Sequence, residues 1–182
     1  MKKSTPIIWI IGYSNSGKTL LANKLQSSLA EDYSRDIIIL DGDAIRSVLK
    51  MHNSHYDLGS RKDNALRIGR LASLISSQGL PVIVAANTFF RDVQEYLRKN
   101  LDNYFEIYLR SDLSTRKARD GDKGIYQKFD RKEIKNVMGL DIAGEEPQNP
   151  DLLLDNYIDT PIEKLVKITI KMLSHKIKGF LD

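Results

Sequence analysis

The feature that most constrains the fold is a glycine-rich loop near the start of the chain. The stretch Gly12-Tyr-Ser-Asn-Ser-Gly-Lys-Thr19 fits the pattern G-x-x-x-x-G-K-[ST]. It directly follows the apolar run Ile7–Ile11 and opens the segment Lys18–Leu29, in which leucines recur at helical spacing. A strand, a glycine-rich turn and a helix in this order are the context in which the pattern binds a nucleoside triphosphate. The loop alone does not separate switch GTPases, ATPases and small-molecule kinases.

The residue types in the loop suit phosphate binding. Backbone N–H groups wrap a phosphate, and the N-terminus of the following helix adds a favourable dipole. Lys18 is predicted to neutralise charge between the β- and γ-phosphates, and Thr19 to coordinate Mg²⁺ through its hydroxyl. The other residues predicted to surround the phosphates are Gly12, Ser14, Asn15, Ser16 and Gly17.

Short apolar runs alternate with helical stretches along the rest of the chain. The runs are Ile7–Ile11, Ile37–Leu40, Pro81–Ala86 and Phe105–Leu109, with Leu152–Leu154 as a weaker fifth. Runs of this kind are typical of strands that are buried on both faces of a parallel sheet. Amphipathic helices are predicted between and after them, at Lys18–Leu29, Asn64–Ser77 and Ile162–Ile177. The alternation predicts a three-layer α/β fold with a mainly parallel sheet of about five strands.

Composition limits the remaining choices. A chain of 182 residues predicts one domain, 1–182, and the lack of cysteine excludes thiol catalysis and thiolate metal sites. The 28 basic and 24 acidic residues leave a mild net charge of +4, without a basic–aromatic module for nucleic acid. No apolar run reaches the ~18 residues of a membrane span. We therefore expect a cytoplasmic enzyme without membrane or nucleic-acid partners. The charged stretch 111–149 is predicted to be a lid or binding loop.

Two carboxylates and an arginine follow the second predicted strand. Asp41 and Asp43 come directly after Ile37–Leu40, and Arg46 lies one turn further on. Ligands in such sheets bind beyond the carboxyl ends of the strands. The carboxylates would there bind Mg²⁺ or take a proton from an attacking hydroxyl group, and Arg46 would hold an acceptor's phosphate. The structural alternative is that Asp43 caps a helix beside a solvated neighbour.

The order of the motifs resembles that of one enzyme family. After the phosphate loop come Leu40–Arg46, Asp57–Ser60, Phe90-Arg91, Arg119–Tyr126, Glu133–Lys135, Gly139–Asp141 and Glu146–Leu152. Over nearly the whole chain this set resembles the adenylylsulfate kinases. Those enzymes use Mg-ATP to phosphorylate the 3′-hydroxyl of adenosine 5′-phosphosulfate. The resemblance implies a P-loop kinase-like fold with a charged lid, ATP and Mg²⁺ as cofactors, a small-molecule nucleotide as acceptor, and a homodimer.

The resemblance also implies roles for single residues. Asp43 corresponds to the general base, Asp41 to a residue that supports the base and the metal, and Arg46 to an acceptor-binding arginine. The remaining assignments concern the lid. Lys123 would cover both substrates, and Arg116 and Arg119 lie where lid arginines near the ATP would be. Apart from the resemblance, Tyr126 follows Lys123 closely in the sequence, and we expect it to touch a nucleotide.

The acceptor side departs from the family pattern. No phenylalanine separates Gly59 from Ser60, and Asn64 and Arg67 stand where the family has arginine and asparagine. The family's Phe-Ile-Ser-Pro and Phe-Thr-Gly are here Ala86-Asn-Thr-Phe89 and Val137-Met-Gly139. Two of the family's phenylalanines sandwich the acceptor's adenine, and losing an aromatic stack costs about 1–3 kcal/mol per base. The sequence therefore predicts an acceptor other than adenylylsulfate.

New polar groups point to a different base. Asn64, Asn87 and Thr88 are predicted to hydrogen-bond a base edge, with Arg67 also on the acceptor side. The best candidate acceptor is cytidine 5′-diphosphoramidate, the substrate of a relative of the adenylylsulfate kinases that acts in bacterial capsule modification. Two alternatives stay open. One is an adenylylsulfate kinase with an unusual pocket, which makes 3′-phosphoadenylyl sulfate, and the other is an inactive regulator that binds ATP.

Overall fold

A computed structural model places the apolar runs in one five-stranded sheet. It describes residues 4–34, 36–49, 57–121 and 124–177. The strands are β1 Ile7–Ile11, β2 Ile38–Asp41, β3 Val82–Ala86, β4 Tyr104–Arg110 and β5 Leu152–Asp155. Every residue of β1 and β3 is buried, as expected for strands that are covered on both faces. All five predicted strands are present, including the weak fifth.

The sheet order places the carboxyl ends of three strands side by side. The strands run β2-β3-β1-β4-β5, and all four pairings are parallel. From β1 the chain crosses to β2 at one edge and returns to β3 beside β1, and it then passes to β4 and β5 on the other side of β1. The connections after β1 and β3 therefore run in opposite directions along the sheet. A crevice forms at such a switch point, beyond the carboxyl ends of the strands. The prediction of a mainly parallel sheet is confirmed.

Helices cover both faces of the sheet. They are α1 Lys18–Tyr33, α2 Gly42–Val48, α3 Leu58–Ser77, α4 Arg91–Asn100, α5 Leu113–Ala118, α6 Ile125–Asp130 and α7 Ile162–Lys176. One core lies between the sheet and the leucines of α1 and α7, and the other between the sheet and α3 and α4. This arrangement confirms the three-layer α/β fold.

Helix α3 begins six residues before the predicted Asn64. The Asp57 side chain caps it by accepting a hydrogen bond from Ser60 N at 2.8 Å. The apolar stripe that marks the helix in the sequence starts only after this capped first turn, and this explains the difference.

The predicted lid, 111–149, contains α5, α6 and an irregular segment up to β5. Lys123 lies outside the described residues. None of the helices in the described segments combines the length and apolarity that crossing a membrane requires.

Trp9, the single tryptophan, is fully buried on β1. Its indole Nε1 donates a hydrogen bond to Thr88 Oγ1 at 3.1 Å. Thr88 is itself 0% exposed, so its hydroxyl lies in the core and does not face a ligand. This placement disagrees with the sequence-based assignment of Thr88 to a base edge.

We expect Thr88→Val to lower the free energy of unfolding by about 1–3 kcal/mol, because the indole N–H loses its buried acceptor. Urea unfolding followed by circular dichroism measures this loss. The matched control is the same substitution in a Trp9→Phe background, where the N–H is absent and the loss should be much smaller. An equal loss in both backgrounds would contradict the interaction.

Candidate functional site

A cleft of about 790 Å³ lies at the carboxyl ends of β1, β2 and β3. Its walls come from the glycine-rich loop, the first turns of α2 and α3, and the segment 125–138. Ten of the residues predicted from the sequence line it: Ser14, Asn15, Gly17, Lys18, Thr19, Asp41, Asp43, Arg46, Asn87 and Arg119. The fold therefore gathers most of the predicted site in one place.

The glycine-rich loop has the backbone of an anion-binding turn. Asn15 and Gly17 adopt left-handed conformations, with φ of 59° and 95°. Helix α1 starts at Lys18 without a side-chain cap, which leaves its first N–H groups for a ligand. At Gly17 a Cβ would come within 2.6 Å of Asn156 Nδ2, so glycine is needed for space as well as for φ. Lys18 Nζ donates to Tyr13 O at 2.8 Å and thus lies over the loop.

Asn156 supports the glycine-rich loop through a buried hydrogen bond. It comes directly after β5 and is 3% exposed. Its Nδ2 donates to Ser16 O at 2.7 Å, and its Oδ1 accepts from Arg119 Nη2 at 3.3 Å. The sequence reasoning missed this residue. Its position at the carboxyl end of a strand was the available signal, but β5 was the weakest predicted strand.

The predicted lid contacts the same loop, through α6 and through the residues that follow α5. Tyr126 Oη donates to Ser14 O at 2.9 Å, and Asn15 Nδ2 donates to Asp120 Oδ1 at 3.0 Å. Burial raises the pKa of the Tyr126 phenol, so the hydroxyl remains a donor across the neutral range. Tyr126 thus touches the loop itself and is 1% exposed.

Arg116 is placed differently from the sequence-based expectation. It is 6% exposed and does not line the cleft. Its guanidinium lies 4.5 Å from the Tyr13 ring centroid, and its Nη1 donates to Tyr126 Oη at 3.2 Å. Tyr13 also stacks on Phe89, with ring centroids 4.0 Å apart. Arg116 therefore supports the loop from the core side, whereas Arg119 lines the cleft.

The two carboxylate oxygens of Asp41 accept hydrogen bonds from two different elements, α2 and α1. Its Oδ1 caps α2 by accepting from Asp43 N at 2.9 Å and Ala44 N at 3.3 Å. Its Oδ2 accepts from Thr19 Oγ1 at 2.7 Å. The helix cap is thus Asp41, whereas the structural alternative assigned it to Asp43.

The pair of Thr19 and Asp41 fits a hard divalent cation. A hydroxyl and a carboxylate oxygen lie side by side at the mouth of the loop, and Mg²⁺ prefers such oxygen ligands. Within the described residues, no group of three or more histidine or acidic side chains is arranged to hold a metal. The site therefore suits Mg²⁺ that is shared with substrate phosphates, the common arrangement in nucleotide-dependent enzymes.

Asp43 projects into the cleft from the first turn of α2. Its Oδ1 lies 2.5 Å from Arg46 Nη2, and its side chain is 59% exposed. An oriented, accessible carboxylate of this kind can accept a proton from a bound hydroxyl group.

Cations dominate the cleft. Among the residues that the structure describes, two carboxylates, those of Asp41 and Asp43, and six basic side chains line the cleft. The basic residues are Lys18, Arg46, Arg61, Arg119, Lys128 and Lys135. This excess favours polyanionic ligands. The sequence reasoning missed Arg61, Lys128 and Lys135, because only the folded chain brings these separated positions to one cleft.

One part of the cleft has an apolar lining. Because the sequence analysis expects the acceptor there, we call it the acceptor half. Ala85, Ala86, Val137 and Met138 line it, and Asn87 adds an amide. Asn64 is 5% exposed and lies outside the lining, as does the exposed Arg67. Gly12 and Ser16, which belong to the glycine-rich loop, also lie outside the lining.

Comparison with known proteins gives one family. The sequence profile described as adenylylsulphate kinase matches residues 4–155. The cytidine diphosphoramidate kinase of Campylobacter jejuni is 38% identical over 174 residues, which are 96% of this chain and 99% of that protein. The probable adenylyl-sulfate kinase of Bacillus subtilis is 37% identical over 161 residues, which are 85% of this chain and 78% of that protein.

A solved structure agrees with the fold. The Mycobacterium tuberculosis APS kinase in complex with AMPPNP and APS has a TM-score of 0.86 and 28% identity. The match covers 95% of this chain and 99% of that one.

We expect Asn156→Leu to weaken binding of Mg-AMPPNP by ~10-fold or more, because Ser16 O loses its buried donor and the loop loses its support. Isothermal titration calorimetry measures the change. Asn149→Leu, in an exposed loop outside the cleft, is the matched control and should bind as the wild type does. Wild-type affinity in a folded Asn156→Leu protein would refute the supporting role.

Proposed function

The chain belongs to the adenylylsulphate kinase family and is a kinase, and from this premise we propose that its acceptor is cytidine 5′-diphosphoramidate. The enzyme would transfer the γ-phosphoryl group of ATP to the ribose 3′-hydroxyl of that nucleotide. The observation that carries the choice of acceptor is the end-to-end similarity to the Campylobacter jejuni cytidine diphosphoramidate kinase. We propose a cytoplasmic location, since ATP is supplied there.

The donor half of the cleft fits ATP. The backbone N–H groups of the loop and the start of α1 would hold the β- and γ-phosphates. Lys18 would leave Tyr13 O and neutralise charge on the transferred group. Thr19 and Asp41 would hold Mg²⁺, which neutralises phosphate charge when bound with the nucleotide.

The reaction needs one proton acceptor at the 3′-hydroxyl. Asp43 would accept the proton as the oxygen of the hydroxyl forms its bond to the γ-phosphorus. The bond from the γ-phosphorus to the β–γ bridging oxygen breaks, and ADP leaves. Arg46 would orient the Asp43 carboxylate through their ion pair. Arg119 and Lys128 would add positive charge near the phosphoryl group that is being transferred. The role of Lys123 stays a prediction.

The acceptor half favours a base that does not depend on aromatic stacking. Ala86 and Val137 line the cleft at positions where the resemblance expects phenylalanines. Asn87 lies among them, while Arg46 and Lys135 would provide cations for the 5′-diphosphate. Asn64 and Arg67 do not line the cleft, and their contact with the acceptor stays a prediction.

Adenylylsulfate is the second candidate acceptor. The Bacillus subtilis relative, named a probable adenylyl-sulfate kinase, is almost as similar over the aligned residues. The homodimer that the resemblance implies stays a prediction, which light scattering of the purified protein tests.

We expect kcat/KM for cytidine 5′-diphosphoramidate to exceed that for adenylylsulfate by ~10-fold or more, because the cleft lacks two stacking rings for adenine. Incubation with Mg-ATP and each acceptor, followed by ³¹P NMR of the products, measures the 3′-phosphate that forms. Efficient phosphorylation of adenylylsulfate alone would identify a sulfate-activating enzyme instead.

We expect Asp43→Asn to lower kcat by ~10²–10⁴-fold, because the amide cannot accept the proton. The dissociation constant of Mg-AMPPNP should stay near that of the wild type, since the proposed ligands of the phosphates and Mg²⁺ are the loop, Lys18, Thr19 and Asp41. Lys18→Ala should abolish turnover. Asp159→Asn, an exposed substitution outside the cleft, is the control for both. Full activity of either cleft variant would remove the assigned role.

A further inference from the structure

Arg61 connects helix α3 to the segment around Asn136 and Val137, and both contribute to the lining of the cleft. It lies in the first turn of α3 and lines the cleft. Its Nη2 donates to Asn136 O at 2.6 Å, next to Val137. Asp141 fixes that segment by accepting hydrogen bonds from the N–H groups of Asn136 and Val137, at 2.7 and 2.6 Å. The guanidinium is therefore held at a defined place beside the apolar lining.

The first turn of α3 is also fastened to the segment that follows β3. Lys62 forms an ion pair with Asp92 at 2.6 Å and lies 5.5 Å from the centroid of the Phe90 ring. Arg61, on α3, and Asn87, directly after β3, both line the cleft.

Asn87 presents an acceptor that lacks a partner. Its side-chain oxygen Oδ1 is buried and, within the described structure, receives no hydrogen bond. A buried acceptor without a donor is unfavourable, and a ligand that supplies the donor removes that penalty. The terminal torsion of asparagine is broad, so the amide can turn its oxygen toward a ligand in the cleft.

Together the two side chains match one base. The edge of cytosine presents an amine at N4, followed by two adjacent acceptors, N3 and O2. A guanidinium fork fits two adjacent acceptors, and an amide oxygen fits an amine. Uracil places a carbonyl where cytosine has the amine and a donor at N3, and adenine has a single acceptor beside its amine.

We propose that Arg61 and Asn87 are the residues that select cytosine. Arg61 donates to N3 and O2 of the base, and Asn87 Oδ1 accepts from the N4 amine. Ala86 and Val137 cover the base with small apolar side chains, so hydrogen bonding at the edge carries the selectivity. The inference rests on the proposed function, because it names how that site recognises its acceptor.

The test compares cytidine 5′-diphosphoramidate with uridine 5′-diphosphoramidate, which differ only in the base. We expect the wild type to prefer the cytidine compound by ~100-fold in kcat/KM. Arg61→Met and Asn87→Leu should each reduce this preference by ~10-fold or more. Asn87→Asp keeps an acceptor and should retain the preference.

Arg70→Met is the matched control. Arg70 is an exposed arginine on the same helix and does not line the cleft, so both the rate and the base preference should stay at wild-type values. If Arg61→Met lowers kcat/KM equally for both compounds, Arg61 acts on the phosphates, and the inference is overturned. An unchanged preference in both Arg61→Met and Asn87→Leu overturns it as well.

Calorimetric titration with CMP and UMP separates this inference from the proposed function. If the wild type phosphorylates neither diphosphoramidate but binds CMP more tightly than UMP, and Arg61→Met removes the difference, the base recognition stands and the proposed reaction fails. If the wild type phosphorylates the cytidine compound while it binds CMP and UMP equally, the reaction stands and the base recognition fails.

Discussion

Hydrogen bonds from distant parts of the chain hold the glycine-rich loop in place, and the rest of the site depends on them. Three main-chain or side-chain groups of the loop, at Ser14, Asn15 and Ser16, bond to residues that are more than a hundred positions away. Asn15 adopts the left-handed conformation, which asparagine tolerates better than most residues other than glycine but still disfavours. The contacts from Tyr126, Asp120 and Asn156 offset such costs. The conformation of the loop, and with it the binding of a nucleotide, therefore depends on these long-range contacts as well as on the loop residues.

The two halves of the cleft depend on different kinds of protein group. The donor half depends on main-chain N–H groups, one lysine and one hydroxyl, and these tolerate little change because their geometry follows from the strand–loop–helix unit. The acceptor half depends on side chains from β3, α3 and the segment before β5. Side chains there can change size and polarity without disturbing the sheet, so a new acceptor can arise while the phosphoryl-transfer chemistry remains.

Asp41 connects the two halves. One carboxylate oxygen caps α2, the helix that carries Asp43 and Arg46, and the other bonds Thr19 at the loop. The position of the proposed general base and the position of the hydroxyl proposed to bind Mg²⁺ are therefore set by the same side chain. This arrangement explains why both carboxylates follow one strand, with a single residue between them.

The sequence by itself determined the strands, the glycine-rich loop and the pair Asp41 and Asp43, because each is encoded by local periodicity or by residues within one turn of one another. It also indicated, through the small residues at positions 86 and 137, that the acceptor pocket is altered. Only the tertiary structure decided that Thr88 bonds Trp9 in the core and that Arg116 supports Tyr13 from behind the loop. It also decided that Asn156 and Arg61 belong to the site. Those roles depend on contacts between residues that are far apart in the chain, and no local pattern records which of two polar side chains will face the core and which the cleft.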